Sequence, residues 1–91
     1  MIKLLLFVSP TCPQCPAAKD VAEKLQKIRG DIEVEILDIS NHENLITALM
    51  LQIASTPTFV VGETPIFVGR IPSLEELDAS IRDYARNVSE K

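Results

Sequence analysis

The sequence predicts an α/β protein: a four-stranded mixed sheet covered by three helices, in the order β-α-β-α-β-β-α. Three observations carry that prediction. Along the chain, apolar residues switch between strand-like runs and helical spacing. Two Ser-x-x-Glu boxes, opening at Ser40 and Ser73, mark helix starts. Two short apolar runs flank Gly62-Glu63-Thr64, the pattern of a hairpin. At 91 residues the chain is expected to form a single domain over residues 1–91.

Residues 2–8 form a nearly unbroken apolar run, as in a strand buried on both faces, and Ser9-Pro10-Thr11 ends it. From about Pro13 to Arg29, Ala18, Val21, Ala22, Leu25 and Ile28 recur at helical spacing. On the outer side Asp20 precedes Lys24, and Glu23 precedes Lys27, by four residues, which supports the helix. Pro13 suits its first position, and Gly30 is expected to end it as a left-handed cap. Residues 31–39 alternate, with Ile32, Val34 and Ile36 against Asp31, Glu33 and Glu35. That pattern predicts a strand at a sheet edge, where charge discourages pairing with other chains.

Ser40-Asn41-His42-Glu43 opens a second helix, expected to set Leu45, Ile46, Leu49, Met50 and Ile53 along one side. Ser55-Thr56-Pro57 closes that stretch. Thr58–Val61 and Ile66–Val68 are the hairpin strands, and Pro65 assigns the last one to an edge. The final helix opens at Ser73-Leu74-Glu75-Glu76 and presents Leu74, Leu77, Ile81, Tyr84, Ala85 and Val88 to the core. The first crossover then joins two parallel strands with a right-handed turn.

Composition removes several functions. Hydrophobic residues make up 46% of the chain, enough for a core and too many for a disordered segment. Nine basic residues face thirteen acidic ones, a net charge of −4, with no Lys/Arg cluster, so no nucleic-acid partner is expected. No apolar run approaches the about 18 residues of a membrane span, so no membrane partner is expected either. Two cysteines cannot staple a secreted scaffold. With a single histidine they cannot fill a four-ligand zinc site without carboxylates, and no metal is expected. The run Leu4–Val8 after Lys3 resembles the start of a secretory leader. It is short and no small-residue cleavage site follows closely, so it is read as mature structure in a cytoplasmic protein.

The chemistry centres on Cys12-Pro13-Gln14-Cys15, at the junction of the first strand and first helix. A C-x-x-C pair in a βαβ setting reads as a redox site. The unpaired amides and partial positive charge of a helix N-terminus favour a thiolate at Cys12. At a pKa of about 8.5 a thiol is roughly 3% thiolate at pH 7, and at about 7 it is half thiolate. Intrinsic nucleophilicity falls with pKa, so the net gain in attack is only about three-fold. The larger effects fall on Cys12 as a leaving group and on the redox potential. Three plainer readings stand beside this one. The pair could be a local staple worth about 2 kcal/mol, half of a zinc site, or two small buried hydrophobes. Lys19 is read as a solvated residue that could favour the thiolate modestly, Asp38 as a candidate proton acceptor, and His42 as an exposed cap residue.

Two separated motifs resemble the thioredoxin/glutaredoxin superfamily, and the resemblance covers nearly the whole chain. One is Phe7-Val8-Ser9-Pro10-Thr11-Cys12-Pro13-Gln14-Cys15; the other is Ile53-Ala54-Ser55-Thr56-Pro57-Thr58. The resemblance implies a thioredoxin-like fold and a thiol–disulfide oxidoreductase that needs no cofactor. It implies that Cys12 attacks and Cys15 resolves, and that Thr56–Pro57 is cis and faces the pair. Pro13, Gln14, Thr56 and Pro57 would contact the substrate, with the Thr56 backbone pairing with its extended chain. The sequence departs from the family in four places. Thr11 stands where thioredoxins carry Trp, and Leu4-Leu5-Leu6-Phe7-Val8 lacks their buried Asp. Gln14 replaces the aromatic residue common in glutaredoxins, and Gly69-Arg70-Ile71-Pro72-Ser73-Leu74 lacks their glutathione-holding pattern. The mixture resembles small glutaredoxin-like thioredoxins: monomers that reduce disulfide-containing proteins and draw on a thioredoxin-reductase-type enzyme or a small thiol. A glutathione-dependent glutaredoxin is the nearest alternative. A metal-binding or binding module on the same fold is the alternative from another class.

Overall fold

A strand apolar at every position needs cover on both faces, and β1 (Ile2–Val8) has it, lying inside a four-stranded sheet of order β2-β1-β3-β4. The computed structural model describes residues 2–53, 55–62 and 64–89, with side chains described as far as Tyr84. After β1 come α1 (Cys15–Ile28), β2 (Ile32–Asp38), α2 (His42–Met50), β3 (Thr58–Val61), β4 (Thr64–Val68) and α3 (Leu74–Ser89). β1 pairs parallel with β2 from Ile2↔Ile32 to Val8↔Asp38, and antiparallel with β3 from Leu4↔Val61 to Phe7↔Thr58. β4 pairs antiparallel with β3, with a register shift between Phe59 and Val60. The fold is the thioredoxin-like α/β arrangement that the sequence predicts.

The alternation of β1 divides the core. Leu4, Leu6 and Val8 join Phe59 and Val61 beneath Ala18, Ala22 and Leu25 of α1 and Leu77 and Ile81 of α3. Each large side chain fully buried there contributes about 1.5–3 kcal/mol. Phe7 and Val60 point to the other face, where they meet Ala48 of α2 and Ile53. Arg29 ties α1 to α3, donating to Asp78 at 2.9 Å and to Asp31 at 2.8 Å. On the edge strand the Oε1 of Gln26 accepts from the Val34 N–H at 2.7 Å, and Lys3 pairs with Glu35.

Several local expectations are corrected. α1 begins at Cys15, not Pro13, because Cys12-Pro13-Gln14 forms a turn closed by the Cys15 N–H on the Cys12 carbonyl. Pro16, not Pro13, occupies the first helical turn. Gly30 is not a left-handed cap: α1 ends on Arg29 in extended conformation, with its N–H on the Leu25 carbonyl. At α2 the N-cap is Asn41, whose Oδ1 accepts from the Glu43 N–H at 2.9 Å, while the Ser40 N–H is taken by Asp38. The box at Ser73 forms in full: Ser73 Oγ accepts from the Glu76 N–H and Glu76 Oε1 accepts from the Ser73 N–H. β4 begins at Thr64, two residues before the expected start. Asp20–Lys24 is paired, and Glu23–Lys27 is not among the ion pairs of the described residues. Of the expected α3 core residues, Ala85 and Val88 fall outside the described side chains.

The largest correction concerns α2. It stops at Met50, so Ile53 lies beyond it. Its buried residue is Ala48, while Leu45, Ile46, Leu49 and Met50 face outward. A methyl-sized side chain lets the helix sit close to Phe7 and Val60, which turns the larger residues away from the sheet. The end of α2 is a Schellman motif with Gln52 at φ 61° in the left-handed position. The Ile53 N–H reaches the Ala48 carbonyl at 2.9 Å, and the Gln52 N–H the Leu49 carbonyl at 3.0 Å.

Candidate active site at the head of the first helix

β1 delivers the chain to the end of the sheet at Val8, and a tight turn follows. The Cys12 N–H bonds to the Ser9 carbonyl at 3.2 Å. Ser9 Oγ and Thr11 Oγ1 lie 3.1 Å apart, and the Thr11 N–H donates to Ser9 Oγ at 3.3 Å. The hydroxyls thus stiffen the turn that sets Cys12 against the head of α1. Cys12 and Cys15 are joined by a disulfide, with their Cα atoms 5.5 Å apart. The two sulfur-bearing residues are not equivalent. Cys15 is 3% exposed and belongs to the main core, while Cys12 is only partly buried and rests against that core from outside.

The head of α1 has the electrostatics that a thiolate needs. Its first turn carries no acidic residue, and no side chain caps its amides. The positive end of the helix is therefore unneutralised where Cys12 meets it.

β3 brings the second motif to the same place. Phe7 pairs with Thr58, so the bend that carries Thr56 and Pro57 into β3 lies at the end of the sheet where β1 delivers the chain. The Thr56–Pro57 bond is cis. The loop is held from two sides: Thr58 Oγ1 donates to the Ser55 carbonyl at 2.6 Å, and the Gly69 N–H donates to the Pro57 carbonyl at 2.8 Å. Gly69 has φ 72°, and a Cβ there would come within 3.2 Å of Ser55 Cβ, so this close approach requires glycine. Among the described residues, no hydrogen bond involves the Thr56 backbone.

All six residues singled out in the sequence fall at this end of the sheet: Cys12, Pro13, Gln14 and Cys15 at the helix head, Thr56 and Pro57 in the facing loop. Pro13 and Gln14 are exposed beside Cys12. Asp38 is a poor fit to the proton-acceptor role. Its bonds to Ser40, aided by the charge of Lys19, hold its carboxyl below the usual range, which makes it a weaker base. His42 is exposed at the start of α2, away from any metal-holding cluster among the described residues. Sequence reasoning missed the Ser9–Thr11 hydroxyl pair, although a hydroxyl-x-hydroxyl spacing before the cysteine is a visible turn signal. It also missed an apolar groove that opens between α2 and the Thr56 loop.

Comparison with known proteins agrees with this geometry. A thioredoxin-domain family model matches residues 2–82. A thioredoxin of Methanocaldococcus jannaschii is 38% identical over 82 residues, spanning 89% of this chain and 93% of that protein. A probable thioredoxin of Archaeoglobus fulgidus is 35% identical over 82 residues, 90% of this chain and 88% of the other. Thioredoxin 1 of the thermophilic eubacterium Thermosipho africanus superposes with a TM-score of 0.70 at 25% identity, covering 98% of this chain and 99% of that one. With its cysteine pair closed across the head of α1, the chain belongs to the thioredoxin family and is a thiol–disulfide oxidoreductase.

Proposed function

We propose that the chain works as a monomeric cytoplasmic reductant of protein disulfides, with Cys12 as nucleophile and Cys15 as resolving thiol. The uneven burial of the pair supports that division of labour, since an incoming disulfide can reach Cys12 and not Cys15. The Cys12 thiolate attacks one sulfur of the partner's disulfide. A Cys12–partner bond forms, the partner's S–S bond breaks, and the departing sulfur takes up a proton. Cys15, as thiolate, then attacks the Cys12 sulfur. The partner leaves as a dithiol, gaining two electrons, and the chain is left as the Cys12–Cys15 disulfide. A flavoenzyme of the thioredoxin-reductase type, or a small thiol, returns it to the dithiol.

Thr56 and Pro57 form the docking edge, where the Thr56 backbone adds a strand of the partner and Pro13 and Gln14 touch it from the helix side. No helix among the described residues is long and apolar enough to cross a membrane.

The test is a trap. Cys15→Ser should hold its partners as mixed disulfides on Cys12, resolved by reducing agent and identified by mass spectrometry, while Cys12→Ser should hold none. Full turnover by Cys15→Ser with glutathione alone would overturn this reading in favour of a glutathione-dependent glutaredoxin. Stoichiometric zinc in protein purified under reducing conditions, with no reduction of insulin disulfides, would overturn it in favour of a metal-binding module.

A further inference from the structure

The loop after β4 carries a charge that the dithiol chemistry does not use. The Gly69 N–H reaches the Pro57 carbonyl at 2.8 Å, and consecutive Cα atoms are about 3.8 Å apart, so Arg70 starts one residue from the docking edge. Its side chain turns toward Glu76 of α3, on the sheet face opposite α2.

The guanidinium is held there without being neutralised. Its Cζ lies 4.7 Å from the centroid of the Phe67 ring. Phe67 is itself fixed, edge-on to Phe59 and 7% exposed. The resident carboxylate, Glu76, sits 3.4 Å from Nη2, and both side chains are more than half exposed, so the pair is worth little. Glu76 spends its other oxygen on the Ser73 N–H, which ties it to the head of α3 rather than to Arg70. A guanidinium presents several N–H donors in a rigid fork, and among the described residues only Nη2 is engaged.

We propose that Arg70 is a specificity-determining residue, selecting disulfide-bearing protein substrates that carry a carboxylate side chain within a few residues of the cysteine under attack. This role rests on the dithiol reading above. A partner strand bonded to the Thr56 backbone lies beside Gly69, which brings the side chains flanking its cysteine within range of the charge, screened over about 8 Å at physiological salt. The fork matches a carboxylate in parallel bonds, while an ammonium meets repulsion. Selection by an exposed charge acts mainly on encounter, and so on kcat/KM. The chain's net charge of −4 repels acidic partners at a distance, so the preference is local to the docking edge. A small thiol such as glutathione also carries carboxylates. Gly69-Arg70-Ile71-Pro72-Ser73-Leu74 lacks a glutathione-holding pattern, which favours the protein as their source.

The test uses oxidised peptides, otherwise serine-rich, with Glu, Gln or Lys placed in turn at each position flanking the cysteine. At one position Glu should raise kcat/KM about three-fold over Gln, the range of an exposed ion pair, and further over Lys. The preference should shrink at about 1 M salt, where charges are screened within about 3 Å. Arg70→Gln and Arg70→Met should both abolish it. The second keeps an apolar stem for Phe67, so its loss of preference assigns the effect to charge and not to packing. Arg70→Glu should turn the preference toward Lys. Lys27→Gln removes the same charge at the opposite end of α1 and should leave the preference for Glu intact. Arg70 is more than half exposed, so its substitutions should not prevent folding.

Uncharged bis(2-hydroxyethyl) disulfide separates the two readings. Wild-type reduction of it, with no preference for Glu at any position, overturns the role of Arg70 alone. Failure to reduce it overturns the dithiol reading and the role of Arg70 together. A preference that survives Arg70→Gln, or that salt leaves unchanged, also overturns the role of Arg70. So does a dependence on Arg70 seen with glutathione disulfide and absent from every peptide, since the carboxylate would then belong to the small thiol.

Discussion

On one face of the sheet, Leu4, Leu6 and Val8 meet Ala18, Ala22 and Leu25 of α1 and Leu77 and Ile81 of α3, every one of them 2% exposed or less. On the other, Phe7 and Val60 meet Ala48 and Ile53, and the large residues of α2 stay outside. The first face holds the molecule together and anchors Cys15 within its core. The second is thinly covered and carries the groove beside the Thr56 loop. In a chain of 91 residues, large side chains left at the surface are withheld from an already small core. Of these, Leu45 and Leu49 line the groove together with Thr56.

The comparison breaks first if its stability half is wrong. Ile81→Ala empties a fully buried site on the α1/α3 face and should cost about 2–5 kcal/mol in urea unfolding. Ile46→Ala, on exposed α2, should change stability by less than about 0.5 kcal/mol. Equal costs would mean that α2 contributes to stability as fully as the opposite face.

Gly62→Ala probes the same dense face from its margin. Gly62 has φ 63°, and a Cβ there would collide with the Tyr84 hydroxyl of α3. The left-handed backbone alone costs an L-residue about 1–2 kcal/mol. The tyrosine hydroxyl, at the end of a side chain, can swing aside at smaller cost. A loss in that range is expected by chemical denaturation. Adding Tyr84→Phe should recover only the part due to the collision and leave the backbone part in place.

The contrast between the faces also explains what the sequence revealed. β1 was legible because an unbroken apolar run has one reading, a central strand. The site was legible because Cys12 and Cys15 sit at a strand–helix junction and Pro57 follows a helix at a recognisable turn. The Ser73 box was legible because both of its partners are local. α2 was misread for the opposite reason. Its apolar residues have helical spacing, and spacing cannot say whether a partner lies against them. Ala48, the residue that does touch the sheet, is too small to dominate the pattern. The end of α2 was hidden because Gln52 takes the left-handed position that glycine normally announces. At α1 the turn Cys12–Gln14 displaced the helix start, since Pro13 and Pro16 both satisfy the same rule.

Ser73→Ala tests the start of α3, on the well-covered face. It removes the acceptor for the Glu76 N–H and should cost about 1 kcal/mol at neutral pH. The reciprocal bond gives a pH signature. The Ser73 N–H, with a smaller contribution from Arg70, holds the Glu76 carboxyl below the usual range. A depressed carboxyl stabilises the fold above its ordinary value, and that contribution is lost as pH falls through the lowered one. Ser73→Ala keeps the backbone N–H, so it should lower the stability curve without removing its acid limb. Glu76→Gln should flatten that limb. The measurement is stability against pH by denaturant titration, and an unchanged acid limb in Glu76→Gln would show that the box does not couple to protonation.

Gln52→Gly should give a small effect and the only stabilising one. Relieving a non-glycine residue of left-handed backbone gains about 1–2 kcal/mol. Glycine gives back about 0.4–1 kcal/mol of that through the greater freedom of the unfolded chain. The two nearly offset, and a net gain of about 0.5 kcal/mol is expected, read as a small rise in the urea midpoint with unchanged slope. The Schellman bonds from Gln52 and Ile53 are backbone bonds and survive the substitution. The groove walls formed by Leu45, Leu49 and Ile53 should therefore be retained. A fall in stability would mean that the Gln52 side chain, rather than its backbone, holds the end of α2. The thinly covered face would then depend on contacts that its exposed leucines do not disclose.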